Sequence, residues 1–260
     1  MARILVRANG FCGDFVAVNG RTEESVTPLS VLRAVVTIGA SGPLEMISYG
    51  WRSLTVTFCE AIRTTFFLED RHGNLATSPA FAGLVQSEKS TATYWLAMAL
   101  TKLTAEKRLR VPWLCHLERL LATGAAELTA GTAERGDLAG KDSRNRWHVL
   151  EAKGRSYNVA STVIDEAKSQ ASRVTSVNGV KPSTTSSCIA RFFTVPISID
   201  LEDPDSQDPG SEASWLIDQP RWFIHDGHFL SQRMDSKAEM GPFNGWPWFG
   251  SCFHRILLFG

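Results

Sequence analysis

Two short runs that can pair as strands lie on either side of a polar hexapeptide, and they constrain this chain more than any other stretch. The first is Arg135-Gly136-Asp137-Leu138-Ala139-Gly140. The second is Trp147-His148-Val149-Leu150-Glu151-Ala152-Lys153-Gly154. The intervening Lys141-Asp142-Ser143-Arg144-Asn145-Arg146 has the composition of a hairpin tip. Successive side chains of a strand point to opposite faces, so Glu151 and Lys153 share a face with Trp147 and Val149. His148, Leu150 and Ala152 face the other way. If the two runs pair, Asp137 approaches Glu151, and two carboxylates and an ammonium converge on one point. Two carboxylates with open water positions can hold Mg²⁺, a hard cation that prefers oxygen ligands. A lysine beside such a cation can orient a water or offset charge on an anionic transition state. The residues alone also allow an ordinary hairpin with a surface Glu–Lys pair.

The pattern Gly136-Asp137 … Glu151-Ala152-Lys153, with thirteen residues between Asp137 and Glu151, resembles the PD-(D/E)-x-K signature of the restriction-endonuclease-like nuclease superfamily. Gly136 stands where that family usually has proline. The resemblance implies an α/β (α+β) fold with an αβββαβ core around a mixed central sheet. It also implies a metal-dependent DNA phosphodiesterase. On this reading Asp137, Glu151 and the carbonyl of Ala152 hold Mg²⁺ or Mn²⁺, and Lys153 acts on the water and the scissile phosphate. A helix ahead of the sheet would supply another carboxylate, with Glu106 the first candidate and Glu118 the second. Gln170 and Lys168, on the helix that follows, would reach a phosphate. The superfamily also includes members that keep the fold and lose the chemistry, so a catalytically silent protein-interaction module is the alternative. An unrelated α+β protein would hold Asp137 and Glu151 far apart.

The order of elements along the chain fits that core. Apolar residues at Leu96, Leu100 and Leu103 predict a helix over 90–110, started by Ser90 or Thr91 and stopped by Pro112. Trp113 to Leu117 reads as a first core strand. A second helix is expected over 159–174, where Ala160, Val163, Ile164, Ala167, Ala171 and Val174 recur at steps of three and four. Asn178-Gly179 marks a turn, and Cys188 to Ile199 reads as a strand pair interrupted at Pro196. This gives a core over 90–200. Residues 1–89, whose short apolar runs are ambiguous between strand and helix, are expected to be an N-terminal extension or small domain. Residues 201–260 form an acidic loop followed by an aromatic C-terminal extension, a region that suits a homodimer contact or a protein partner.

Composition narrows the classes. Lys plus Arg equals Asp plus Glu at 27 each, so DNA contact must come from a local patch and not from a global field. Five scattered cysteines with no Cys-x-x-Cys pair argue against a zinc ribbon or disulfide framework and for a reducing, cytoplasmic setting. Arg7 and Asn9 interrupt the first apolar run too soon for a signal peptide, and no membrane span is expected. Gly136-x-x-x-Gly140-Lys141-Asp142 is one residue too short between its glycines for a phosphate loop, and Asp142 would repel phosphate. His225-Asp226-Gly227-His228 reads as a turn with surface histidines. His148 reads as a core or interface histidine.

Overall fold

A computed structural model of the chain describes residues 1–48, 50–130, 136–157 and 162–203. The elements run β1 (Ala2–Asn9), β2 (Gly20–Val26), α1 (Pro28–Thr37), α2 (Pro43–Ser48), α3 (Gly50–Phe66), β3 (Leu68–Arg71), β4 (Asn74–Thr77), α4 (Pro79–Ala82) and α5 (Gln86–Thr104). They continue with β5 (Cys115–His116), α6 (Leu117–Ala122), β6 (Ala126–Leu128), β7 (Leu138–Lys141), β8 (Trp147–Arg155), α7 (Thr162–Ser172), β9 (Val174–Val177), β10 (Thr184–Arg191) and β11 (Ser198–Glu202). The fold is mixed α+β. A nine-stranded sheet has the order β3-β4-β1-β11-β10-β8-β7-β5, with β2 on the other edge of β1, and β6 and β9 form a separate ribbon.

The expected hairpin is present: β7 and β8 pair antiparallel, with Leu138 opposite Leu150 and Lys141 opposite Trp147. Asp142 shapes the tip. Its carboxylate accepts from the backbone N–H of Arg144 (2.8 Å) and Arg146 (2.9 Å) and from the Arg146 guanidinium (2.8 Å). From β8 the chain crosses through α7 and β9 to β10, which lies parallel to β8 with Glu151 beside Ser187. Such parallel crossovers need a connecting segment of a dozen or more residues, commonly a helix. α7 packs on β8 and β10, while α5 packs on β8, β10 and α1.

α5 begins earlier than its sequence suggests. Glu88 reaches back to the N–H of Val85 (3.4 Å), so the helix starts at Gln86. Ser90 and Thr91 lie inside it, their hydroxyls donating to the carbonyls of Gln86 (2.9 Å) and Ser87 (3.2 Å), the alternative use of such side chains within helices. Its second half, from Leu96 to Thr104, is buried on every side. A π-helical turn over Ala105–Leu109 follows, and Arg110 adopts a left-handed conformation (φ 61°) before Pro112. Only Cys115 and His116 of the expected first strand are extended, because Leu117 already opens α6 and donates its N–H to the carbonyl of Asp137 (2.9 Å).

The ambiguous N-terminal runs resolve into α1 and α3. Thr27 and Ser30 form a reciprocal capping box that starts α1, at 3.0 Å in each direction. The boundary expected near residue 89 does not divide the sheet. β1 lies parallel to β11, Leu5 beside Ser198 and Asn9 beside Glu202, so residues 1–89 supply strands to the same sheet as the hairpin. The core is continuous across it, from Ile4 and Val6 to Leu96, Leu138, Leu150 and Ile199. α7 spans 162–172 where 159–174 was expected: Val174 already opens β9, and Val159 to Ser161 lie outside the described residues. The aromatic C-terminal region, the histidines at 225 and 228, and Cys252 also lie outside them.

Candidate functional site

The hairpin gathers the site from three directions. Asp137 immediately precedes β7. Its N–H donates to the carbonyl of Leu150 (3.1 Å), and its Oδ2 accepts from the N–H of Ala152 (2.9 Å). The carboxylate therefore caps the point where β7 begins and β8 runs on beyond it, still paired with β10 on its other edge. An extended residue carries its N–H and C=O on the same edge of the strand, so the Ala152 carbonyl also faces the Asp137 side. Glu151 and Lys153 share a face, as alternation requires, and form an ion pair through Oε1.

Glu151 is only 2% exposed. Burial, with the Asp137 carboxylate beside it, pushes its pKa up to about 7, and the Lys153 ammonium holds it back from rising further. Its second oxygen, Oε2, is buried without an N–H or hydroxyl donor, as is Oε1 of Gln170 on α7, and the Glu151 and Asp137 carboxyl groups lie close enough to share a proton when Glu151 is protonated. A buried carboxylate oxygen left without a donor calls for a water or an ion. The donors at this point, two carboxylates and a backbone carbonyl, are all oxygen, which suits a hard divalent cation. Among the described residues no three His, Cys, Asp or Glu side chains converge as a ready metal cage. A cation here would have to complete its shell with water, which Mg²⁺ commonly keeps.

A cleft of about 360 Å³ opens beside these groups. Asp137, Ala152 and Lys153 form one side, and Ser90, Thr93 and Tyr94 of α5 form the other. Gly154 brings the two together. A Cβ there would sit 2.5 Å from Thr93 Cγ2 and 2.6 Å from the Thr93 carbonyl oxygen, so only glycine lets α5 lie this close to β8. Gly136 does a similar service on the other face, where a Cβ would come within 3.0 Å of Val149 and 3.7 Å of the Ala171 backbone. The proline that the nuclease signature usually has there would meet both.

The remaining sequence candidates fall in different places. Glu106 is not in the cleft. It sits on the π-helical turn, where both its oxygens accept from Arg33 of α1 at 2.7 Å. Neighbouring Lys107 and Arg108 tie the same turn to Glu24 and to the backbone of Ser25 and Val18. Glu118, exposed at the start of α6, is nearer: its charge, with those of Asp137 and Glu151, helps raise the pKa of Tyr94. Lys168 is engaged by Glu202 of β11. His148 faces away from Glu151 and is fully buried, its Nδ1 2.8 Å from Thr184 Oγ1 and its Nε2 3.5 Å from Asp142 Oδ2. Burial lowers its pKa, so it is a neutral core histidine.

The rest of the cleft was not foreseen from the sequence: Tyr94 on the α5 side and Arg155 and Tyr157 at the end of β8 all line it. One signal was available. Gln86, Ser90, Thr93 and Tyr94 recur at helical steps beside the Leu96 and Leu100 stripe, so polar side chains border the apolar face of α5 over its first half. The site belongs to an α+β protein with a mixed sheet and a carboxylate–lysine cluster at a strand edge. Comparison with family models, curated proteins and solved structures returned no match.

Proposed function

We propose that this chain is a metal-dependent DNA phosphodiesterase of the restriction-endonuclease-like kind. The observation that carries the reading is the meeting of Asp137, Glu151, Ala152 and Lys153 beside a cleft, with one Glu151 oxygen buried without an N–H or hydroxyl donor. The local topology supports it in part: α5, the antiparallel strands β5, β7 and β8, the crossover helix α7 and the parallel strand β10 follow in αβββαβ order, although β5 is only two residues long and α6, β6 and β9 are inserted.

Asp137, Glu151 and the Ala152 carbonyl would hold Mg²⁺ or Mn²⁺. When bound, the cation supplies Lewis-acid stabilisation of the charge that develops on the scissile phosphate. The protein's own groups do the rest. The Ala152 N–H fixes the Asp137 carboxylate. Lys153, held by Glu151, presents its ammonium to the cleft, where it can orient a water and offset phosphorane-like charge. Gln170, on the helix over β8, has a buried amide oxygen without a donor, which a water could supply. Glu118, whose charge is felt at Tyr94, would be the additional carboxylate in place of Glu106.

The neutral net charge and the absence of a third carboxylate among the described groups at the cleft favour, as the second reading, a silent module of the same fold. The deciding experiment is cleavage of labelled oligonucleotides with Mg²⁺ or Mn²⁺ by wild type and by Asp137→Asn. The nuclease reading expects metal-dependent cleavage that falls at least 100-fold in the variant, on the order of the loss of one preorganised electrostatic group. No cleavage by the wild type under either metal would leave the silent module.

A further inference from the structure

The cleft beside Lys153 has features that the carboxylate cluster does not require. Tyr94 is 45% exposed and Tyr157 63% exposed, and both line it. Tyr94 stands on α5, braced edge-on by Trp95 with ring centroids 5.8 Å apart, while Tyr157 follows the end of β8. Lys153 and Arg155 line it too, two residues apart on one strand and so on the same sheet face, opposite the one α5 covers, and they reach the cleft round the edge of β8 that β7 leaves open. Two residues of strand cover about 6–7 Å, of the order of the separation of successive phosphates in an extended single strand. The Arg155 guanidinium is braced at 2.9 Å by the carbonyl of Gly154.

Duplex DNA fits this arrangement poorly. Asp137 and Lys153 line the concavity and Glu151 lies buried behind them, so a phosphodiester that reaches these groups must enter it and not rest on its rim. Duplex bases are stacked and paired, and those flanking the phosphate would have to leave the stack to enter. A volume of about 360 Å³ is at the small end of the range for ligand pockets and suits one nucleotide unit far better than a groove of the double helix. Exposed rings beside cationic side chains are the combination by which proteins hold unpaired strands: bases stack on the aromatic faces and cations follow the backbone.

We infer that the cleft takes single-stranded DNA, or the frayed end of a duplex, with unpaired bases stacked on Tyr94 and Tyr157 and the backbone along Lys153 and Arg155. The proposed nuclease reading supplies the chemistry at the phosphate, but the binding site stands on its own residues.

The test has two arms on the full chain. In the first, fluorescence anisotropy in EDTA measures binding of a labelled single-stranded oligonucleotide and of the same sequence as a blunt duplex. The proteins are wild type, Tyr94→Ala, Tyr157→Ala and Tyr94→Phe. The single strand is expected to bind at least tenfold more tightly than the duplex. Each alanine variant should lose about tenfold for the single strand, within the range for removing one stacking ring, and Tyr94→Phe should bind as wild type. The second arm measures cleavage of both substrates with Mn²⁺. Single-strand binding that depends on the tyrosines, with no cleavage of either substrate, would remove the nuclease reading and uphold the strand-binding site. Cleavage of the duplex as fast as the single strand, or alanine variants that bind the single strand as wild type does, would overturn the inference.

Discussion

Burying Glu151 costs solvation free energy that a single lysine only partly returns, and the sign of the resulting pH dependence follows from its pKa. In the unfolded chain a glutamate titrates near 4.5, and in the fold Glu151 titrates at about 7. Between those values the folded state binds more protons than the unfolded one. Stability is therefore fully present below pH 4.5 and is lost as pH rises through 7. Glu151→Gln removes the buried charge and should stabilise the cation-free protein at pH 8 by about 1–3 kcal/mol, with the gap closing toward pH 4.5. Urea unfolding in EDTA at both pH values reads this directly, and a constant offset would mean that the charge is not the cause. Lys153 is a separate matter, because in the proposed function it acts on charge and does not hold the cation. Lys153→Met keeps the aliphatic stem and removes the ammonium. Single-turnover cleavage should fall by about 10²–10³-fold, while Mn²⁺ affinity stays the same or rises because a positive charge beside the cation has gone. Cleavage within threefold of wild type would make Lys153 a strand residue and no more.

At the scale of elements, the site depends on how closely α5 can approach β8, and Gly154 decides that. Gly154→Ala puts a methyl 2.6 Å from a backbone carbonyl oxygen, which cannot swing aside as a side chain can. It should cost about 1–3 kcal/mol, as overpacking of a tight contact does, and should open the cleft enough to slow turnover. Equilibrium unfolding tests the first effect. A variant as stable as wild type would show that α5 can shift without penalty. The hairpin and its contents were legible in the sequence because strand alternation is strict. Once Glu151 and Lys153 lie two apart, they must share a face, and a polar tip between apolar runs fixes the pairing. Glu106 was misread because its position on a helix says nothing about the partner across from it: Arg33, seventy-three residues earlier, takes it to α1. The runs in α1 and α3 were unreadable for a different reason. Short apolar stretches satisfy helix and strand equally until a cap such as Thr27–Ser30 decides.

At the scale of the molecule, one sheet joins the N-terminal strands to the hairpin, so β1 and β11 buttress the strand that carries Glu151 through β10. No local pattern announces that parallel pairing, since Leu5 and Ser198 meet only after the whole intervening chain has folded. Among the described residues no helix is long and apolar enough to cross a membrane. The central claim is that the folded chain holds a divalent cation at Asp137 and Glu151. A ligand that binds only the folded state stabilises it by mass action, by about 2.7 kcal/mol at 100 times its Kd. The most direct measurement is the Tm of the full chain across an Mn²⁺ titration, for wild type and Asp137→Asn. The Tm is expected to climb with Mn²⁺ in the wild type and the shift to disappear largely in the variant, because an amide is a poorer ligand than a carboxylate. Equal shifts in the two proteins, or none in the wild type, would contradict it.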